Sequence, residues 1–374
     1  MTNNGDFSNK RILLVLPEAF ECAGGIQMFC RTLCLAAGRW AKRHNAQLSA
    51  LALNDSTAPD TRYVNGGFAS YVGAGKSKAK FIRHYLRHIA TSRYDLIIFG
   101  HVSLAPLALV LSRFKSGVKT GVITYGLEVW QPLTKAQRMA LEKMDFVLAI
   151  SDYTKNQLSE QRVVSADKIR LFPCSLDPYW EMQTHVPATS STPPVILSVV
   201  RIGKEDRYKG IDSVIKSLPL IVRELGPVVY RIVGRGDDVP RLKALAEQLA
   251  VSQYVSFTGG LPEEELREHY RRCSVFVMPS EKEGFGIVFL EAMAYAKPVI
   301  GGAHGGTPSV VKDGETGLLV NHQDIAGISQ AIIRILSDKE MSERFGRAGR
   351  ARLLNEFTFQ KFESNLDEVF RSCL

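Results

Sequence analysis

The sequence predicts an α/β protein made of two doubly wound, Rossmann-like domains with parallel sheets. Three observations predict it. The chain has 374 residues, more than one compact core accommodates. Short, branched apolar runs alternate with longer helical patterns from end to end, the order that builds parallel sheets covered by helices. Several of those runs are continuously apolar rather than alternating, which calls for strands buried on both faces.

The elements follow in order. RILLVL (11–16) is the first strand. Gly24 and Gly25 come next, ahead of a helix whose apolar positions include Ile26, Phe29, Leu33 and Ala37. Paired glycines let backbone approach a ligand, and the following helix start offers free N–H groups, although a plain turn fits as well. QLSALAL (47–53) is a second strand, and the stretch 75–94 reads as a helix carrying six basic residues and no acid. DLIIFG (95–100) ends just before His101, and TGVITY (120–125) just before Glu128 and Trp130. DFVLAI (145–150) and IRLFP (169–173) complete about six strands. EMQTHVPATSSTPP, 181 to 194, is polar, contains proline and lacks periodicity, so it reads as a linker. It separates an expected first domain, 1–185, from a second, 186–355. A last helical stretch within 356–374 is expected to pack back on the first.

VILSVV (195–200) opens the second set, and Arg201 stands at its end, where a ligand of such a sheet would meet it. Lys209 and Gly210 then open a helix. Arg201 and Lys209 offer a fork and a point charge to a diphosphate, while Lys204, Glu205, Asp206 and Arg207 balance one another and look solvated. VVYRIVG (228–234) leads into GRGDDVPRL, whose Gly234 and Gly236 lack the third glycine of a dinucleotide fingerprint. Asp237 and Asp238 would repel a pyrophosphate there, so a tight turn near a nucleoside is expected. VSFTG ending near 260, SVFVMP (274–279), PVIGG (298–302) and GLLV (317–320) complete the second set.

Composition narrows the class. Apolar residues are 45% and charged residues 23% of the chain, ordinary for a soluble globular protein. No apolar run is long enough to span a bilayer, and MTNNGDFSNK lacks the apolar core of a signal peptide. A cytosolic protein is expected, at most peripheral at the inner face of the cytoplasmic membrane. Six cysteines show no CxxC and no zinc-spaced histidines, so no metal is expected. The net charge of +9 lies wholly in residues 1–185, with 23 Lys and Arg against 14 Asp and Glu. That excess suits an anionic membrane surface or a phosphate-bearing partner. Nucleic acid is not expected, because no aromatic-basic interleaving accompanies it.

EKEGFGIVFLEAMAYAKPVIGG (281–302) places two glutamates eight positions apart. Glu283 precedes Gly284, Phe285 and Gly286 at a loop-to-helix junction with exposed N–H groups. Glu291 lies on the helix among Phe289, Leu290, Ala292 and Met293, where a carboxylate needs a hydrogen-bonding partner such as a vicinal diol. A capping Glu283 and a solvent-facing Glu291 are the plainer alternative.

At these residues the chain resembles the retaining glycosyltransferases of GT-B fold, and glycosyltransferase family 4 in particular. Glu283 and Glu291 fit the family's E-x7-E motif. The Gly24-Gly25 loop, His101, Arg201, Lys209-Gly210, SEKEGFG and KPVIGGAHGGTPSVVKDGETGLLV occur in the family's order over about residues 10 to 355. The resemblance implies two facing domains, a nucleotide diphosphate sugar as co-substrate and no cofactor. Glu283 would contact the donor sugar, Glu291 the ribose, and Arg201 and Lys209 the diphosphate. Gly25, Ser280, Gly284, Phe285 and the amides of Gly286, Ile287 and Val288 would complete the donor side. His101 would lie near the transferred sugar, with Gly24, Tyr125 and Glu128 toward the acceptor. Arg201 and Lys209 are eight apart where many members have five, and Tyr125 stands where many have histidine, which leaves its acceptor role open. UDP-glucose is the first expected donor and GDP-mannose the second, with a glycan or lipid-linked saccharide as acceptor in polysaccharide biosynthesis. A sugar-nucleotide epimerase of the same architecture, or a non-catalytic carbohydrate-binding protein, is the alternative function.

Overall fold

Two all-parallel sheets organise the chain in the computed structural model, which describes residues 6–56, 58–114, 117–181 and 192–374. The first has strands β1 (Arg11–Leu16), β2 (Gln47–Ala52), β3 (Phe68–Gly73), β4 (Leu96–Phe99), β5 (Lys119–Thr124), β6 (Phe146–Ala149) and β7 (Ile169–Leu171). Their order is β3-β2-β1-β4-β5-β6-β7. The second has β8 (Val195–Val199), β9 (Val229–Val233), β10 (Val255–Gly259), β11 (Val275–Met278), β12 (Val299–Gly302) and β13 (Gly317–Val320), in the order β10-β9-β8-β11-β12-β13.

The apolar runs explain the central strands. Ile12 to Leu16 in β1 and all of β4 are buried, because helices cover both faces. The exception to the expected strands is β3, FASYVG, which raises the first sheet from about six strands to seven. It pairs with β2 alone, and none of its six residues is fully buried. An edge strand half in solvent needs no branched apolar run, so its sequence lacks that signal.

The chain divides into two units, Met1–Asp177 with Phe359–Leu374, and Pro178–Thr358. The expected linker at 181–194 lies, from 182 to 191, outside the described residues. In the first unit a core forms around Leu13, Val15, Phe81, Tyr85, Phe99 and Val122. The closing helix Phe359–Cys373 belongs to this unit and lies on the helix Gly25–Arg43. Its buried residues Phe359, Phe362, Leu366, Val369 and Phe370 recur at helical spacing, as an amphipathic helix requires. Phe362 meets Phe29 and Phe172 edge-on at 5.4 and 4.8 Å, and Trp40 Nε1 donates to Asp367 at 2.8 Å. The second unit has its own core around Ile196, Val214, Tyr230, Val275, Val277 and Phe345.

Strand order decides where ligands can go. Each sheet reverses direction once, between β1 and β4 in the first and between β8 and β11 in the second. In sheets of this kind the loops leaving such a pair of strands diverge, and ligands bind beyond those strand ends. Gly24, Gly25 and His101 follow β1 and β4. Arg201, Ser280 and Glu283 follow β8 and β11.

Candidate functional site

In the second unit the predicted residues form a connected set. β8 ends at Val199, and the chain passes Arg201 into a tight 3-10 turn, Lys204–Lys209, before Gly210 caps the helix Ile211–Leu225. That turn folds Lys209 back onto the loop after β11. Its Nζ lies 2.5 Å from Glu283 Oε2, with side chains 15% and 13% exposed. Arg201 Nη2 donates to Asp206 at 3.0 Å, and the Tyr208 hydroxyl donates to the same carboxylate oxygen at 3.3 Å. The Lys209 ammonium lies 5.2 Å from the Tyr208 ring centre. Arg201, Asp206, Tyr208, Lys209 and Glu283 are thus linked in one chain of contacts.

The residues between Arg201 and Lys209 correct a sequence expectation. Lys204, Glu205 and Arg207 are exposed as expected, but Lys204 and Arg207 find their partners outside this group. The Lys204 backbone N–H donates to Asp237, and Arg207 donates to Asp238 at 3.2 Å, tying this turn to the one after β9. Asp238 also takes a bidentate bond from Arg241, which with the nearby Arg207 holds its carboxyl below the usual range. The two aspartates are therefore compensated. Gly236 is needed for packing: a Cβ there would stand 2.0 Å from the Ile202 carbonyl oxygen.

The helix Ile287–Ala294 begins at Gly286, so the N–H groups of Ile287 and Val288 are among the first of the helix. Gly284 and Phe285 lead into it, and the Phe285 ring is buried edge-on against Phe357 at 5.6 Å. The Gly306 N–H donates to the Glu283 carbonyl at 2.5 Å, drawing the loop after β12 alongside. Ser280 Oγ and Thr307 Oγ1 are buried beside these loops, with no hydrogen-bond partner among the described residues. Eight residues beyond Glu283, and on the helix, Glu291 is 6% exposed and accepts from the Tyr270 hydroxyl at 2.6 Å. Tyr270 was not singled out from sequence. Its helix, Glu263–Arg272, is strongly charged, and nothing in that pattern marks one buried tyrosine.

In the first unit, His101, Tyr125 and Glu128 come together. His101 Nδ1 accepts from the Ser103 N–H at 3.1 Å and lies 2.8 Å from Ser103 Oγ. With Nδ1 used as an acceptor, the assigned tautomer carries its proton on Nε2. Burial pushes the imidazole pKa down, against a smaller opposing pull from Glu128, so the ring is a neutral hydrogen-bond donor near pH 7. The Tyr125 ring stacks on it at 6.0 Å and 21°, and is buried edge-on to Phe29 at 5.3 Å. Glu128 accepts the Tyr125 backbone N–H at 2.5 Å. Trp130 donates to Thr154 at 3.2 Å.

Gly24 and Gly25 stand at the start of the helix Gly25–Arg43. The loop that leads to them is held by Asp55, whose carboxylate is fully buried. It accepts the N–H groups of Ala19, Phe20 and Glu21 at 3.1 to 3.2 Å and the Tyr71 hydroxyl at 2.5 Å. Asp55 was missed because LNDST after β2 has the composition of any polar loop.

In the second unit, burial pulls the Lys209 ammonium down. The Glu283 carboxylate, aided by Tyr208 and Asp206, more than offsets this, and the pKa lies above the usual lysine value. The site therefore carries a charged lysine held by one carboxylate. It can neutralise an anionic leaving group, and a neighbouring carboxylate and amide row can receive hydroxyls.

Comparison with known proteins bears on these residues. Residues 23–179 match the family described as Glycosyltransferase Family 4, and residues 183–352 match Glycosyl transferases group 1. The GDP-mannose-dependent alpha-(1-6)-phosphatidylinositol monomannoside mannosyltransferase of Mycolicibacterium smegmatis is 31% identical over 302 residues, 76% of this chain and 78% of that one. Sucrose-phosphate synthase from Thermosynechococcus elongatus has a similar structure, with a TM-score of 0.77, 24% identity, and 97% and 99% of the two chains covered. Anabaena HepE in complex with UDP and glucose gives 0.72 at 16% identity, covering 96% and 99%.

Proposed function

The chain belongs to the GT-B glycosyltransferases of group 1 and Family 4, and on that premise we propose that it moves mannose from GDP-mannose to a phosphate-bearing, lipid-linked saccharide, with retention and without a metal ion. The observation that carries this reading is the Lys209–Glu283 pair at the turning point of the second sheet. A donor entering there would exchange the pair's mutual contact for its own: Lys209 and Arg201 to the diphosphate, Glu283 to sugar hydroxyls. The amides of Gly286, Ile287 and Val288 add partial positive charge at the helix start. Glu291, oriented by Tyr270, would take the ribose hydroxyls.

The bond from the anomeric carbon to the β-phosphate oxygen breaks, and its electron pair leaves with the phosphate. The acceptor hydroxyl oxygen bonds to the same face of the sugar and gives its proton to the departing phosphate. Positive charge from Arg201, Lys209 and the amides stabilises that leaving group. Glu283 is assigned to orienting the sugar and not to covalent attack on it. His101, neutral with its proton on Nε2, offers a hydrogen-bond donor on the first unit. Metal independence is proposed because Arg201, Lys209 and the helix-start amides already bring positive charge to the leaving group.

GDP-mannose is preferred to UDP-glucose because the mycobacterial relative, matched over three quarters of both chains, is GDP-mannose-dependent. The similar structure containing UDP is 16% identical and bears on fold alone. A thermal-shift panel tests this. A ligand that binds only the folded state stabilises it by about 2.7 kcal/mol at a hundredfold excess over its Kd. GDP-mannose is expected to raise the melting temperature by several degrees and UDP-glucose not to. The reverse result returns the donor to UDP-glucose.

An anionic membrane surface is proposed as a partner of the first unit. Among the described residues no helix is long and apolar enough to cross a membrane. The helix Lys78–Thr91 buries Phe81, Tyr85 and Ile89 but leaves Ile82 and Leu86 exposed one turn apart, 46% and 40%, amid exposed Lys78, Lys80, Arg83 and Arg87. Such a helix suits an interface of anionic headgroups. At about 1 kcal/mol for each basic residue, the double variant Arg83→Glu/Arg87→Glu is expected to weaken sedimentation with phosphatidylglycerol vesicles at low salt by tenfold or more. A wild-type protein that stays in the supernatant ends the membrane proposal.

A further inference from the structure

We propose that Arg31 forms an anion-binding subsite in the first unit and takes the phosphate of the acceptor, an inference that rests on the acceptor class proposed above. Arg31 lies on the helix Gly25–Arg43, seven residues past Gly24 and so about two turns along the same face. Its Nε is buried with no hydrogen-bond partner, and among the described residues no carboxylate pairs with its guanidinium. A buried, charged N–H with no acceptor is costly. Evolution of a fold tolerates such a group where a ligand completes it, and a guanidinium fork matches phosphate oxygens in pairs.

The surroundings are built rather than loose. The Arg31 guanidinium carbon lies 5.9 Å from the centre of the Tyr63 ring. Tyr63 is 5% exposed, and its hydroxyl donates to Asp177 at 2.5 Å. Phe20 packs on the same ring at 6.3 Å and on Tyr71 at 5.5 Å, while Asp55 holds the Phe20 N–H. The platform under Arg31 is therefore fixed from several sides, and it adjoins the loop that leads to Gly24. Arg62 also lies over Tyr63, at 5.5 Å, but Asp60 neutralises it through bonds of 2.9 and 2.7 Å. Two guanidiniums, Arg31 and Arg62, and two carboxylates, Asp60 and Asp177, meet around this ring, and Asp60 also acts on Arg31 through space, yet the Arg31 Nε–H is left without an acceptor.

Two readouts test the subsite. In calorimetry, glycerophosphoinositol is expected to bind the wild-type protein and to bind Arg31→Gln at least tenfold more weakly, with inorganic phosphate as a second titrant. No binding of the diester to wild type, or binding of inorganic phosphate alone, overturns the acceptor assignment. In transfer assays Arg31→Gln is expected to raise KM at least tenfold for a phosphatidylinositol mannoside. KM for GDP-mannose and for a neutral alkyl mannoside should stay within twofold. Equal losses on charged and neutral acceptors mean a structural role and overturn the proposal. Arg31→Lys keeps the charge without the fork; it is expected to fall between the two, and it decides the point should Arg31→Gln not fold. If wild type transfers nothing from GDP-mannose, the proposed function falls, while the titration still judges Arg31 by itself.

Discussion

Glu283→Ala and Lys209→Ala are each expected to lower transfer by about 10²–10³-fold, the scale for removing one preorganised group that meets charge in the transition state. The two losses have different causes. Without Lys209 the departing diphosphate keeps its charge and leaves less readily. Without Glu283 the sugar is misaligned, and the Lys209 ammonium loses the partner 2.5 Å away. The pair's remaining exposure, 15% and 13%, limits the stability cost of breaking it to about 3 kcal/mol or less. Circular dichroism should therefore show folded variants, and donor titration should separate their defects. Because both residues act on one bound donor, the double variant should lose far less than the product of the single losses. Full activity in either single variant removes both from the site. The pair also sets an alkaline limit. The folded pKa of Lys209 is raised, so its contribution to stability is complete below the ordinary lysine value and is lost as pH rises through the higher folded one.

Gly286→Ala is the second large effect expected. Gly286 has φ +94, a conformation that side chains other than hydrogen rarely adopt. A Cβ there would stand 2.5 Å from Phe289 Cδ2 and 3.4 Å from Glu283 Cγ. Phe289 cannot yield freely, since its ring is fully buried and edge-on to Phe276 at 5.4 Å. The backbone strain alone is on the order of 1–3 kcal/mol, and the contact adds to it. The loop must shift instead, carrying Glu283 and the first amides of the helix with it. A displacement of about 1 Å in a positioned group costs on the order of a hundredfold in rate. Chemical denaturation should show the loss of stability, and steady-state kinetics the loss of kcat. A variant of wild-type stability and rate would mean that this turn neither holds strain nor aims the carboxylate.

Much of the fold was legible because buried parallel strands have to be apolar on both faces. RILLVL, DLIIFG and SVFVMP could hardly be anything else once helical stretches separated them. β3 escaped for the opposite physical reason: its one neighbour is β2 and its side chains meet water, so FASYVG carries no such demand. Among the site residues, Glu283, Lys209 and Arg201 were legible from their places at strand ends and helix starts. Tyr270, Asp55 and Arg31 were not. Each matters through what it touches, and a tyrosine in EEELREHYRR or an aspartate in LNDST looks like its neighbours.

From the residues in order one could already know the alternation of strand and helix, the two cores it requires, and the E-x7-E spacing on a glycine turn. Those properties are local, set by burial periodicity and by where glycine permits the backbone to turn. Which charge meets which was decided only in three dimensions. Lys209 and Glu283 are 74 residues apart, and Asp55 reaches back 34 to 36 residues to hold a loop. Sheet order brings such partners together, and electrostatic contact falls off with distance in space, whatever the separation along the chain.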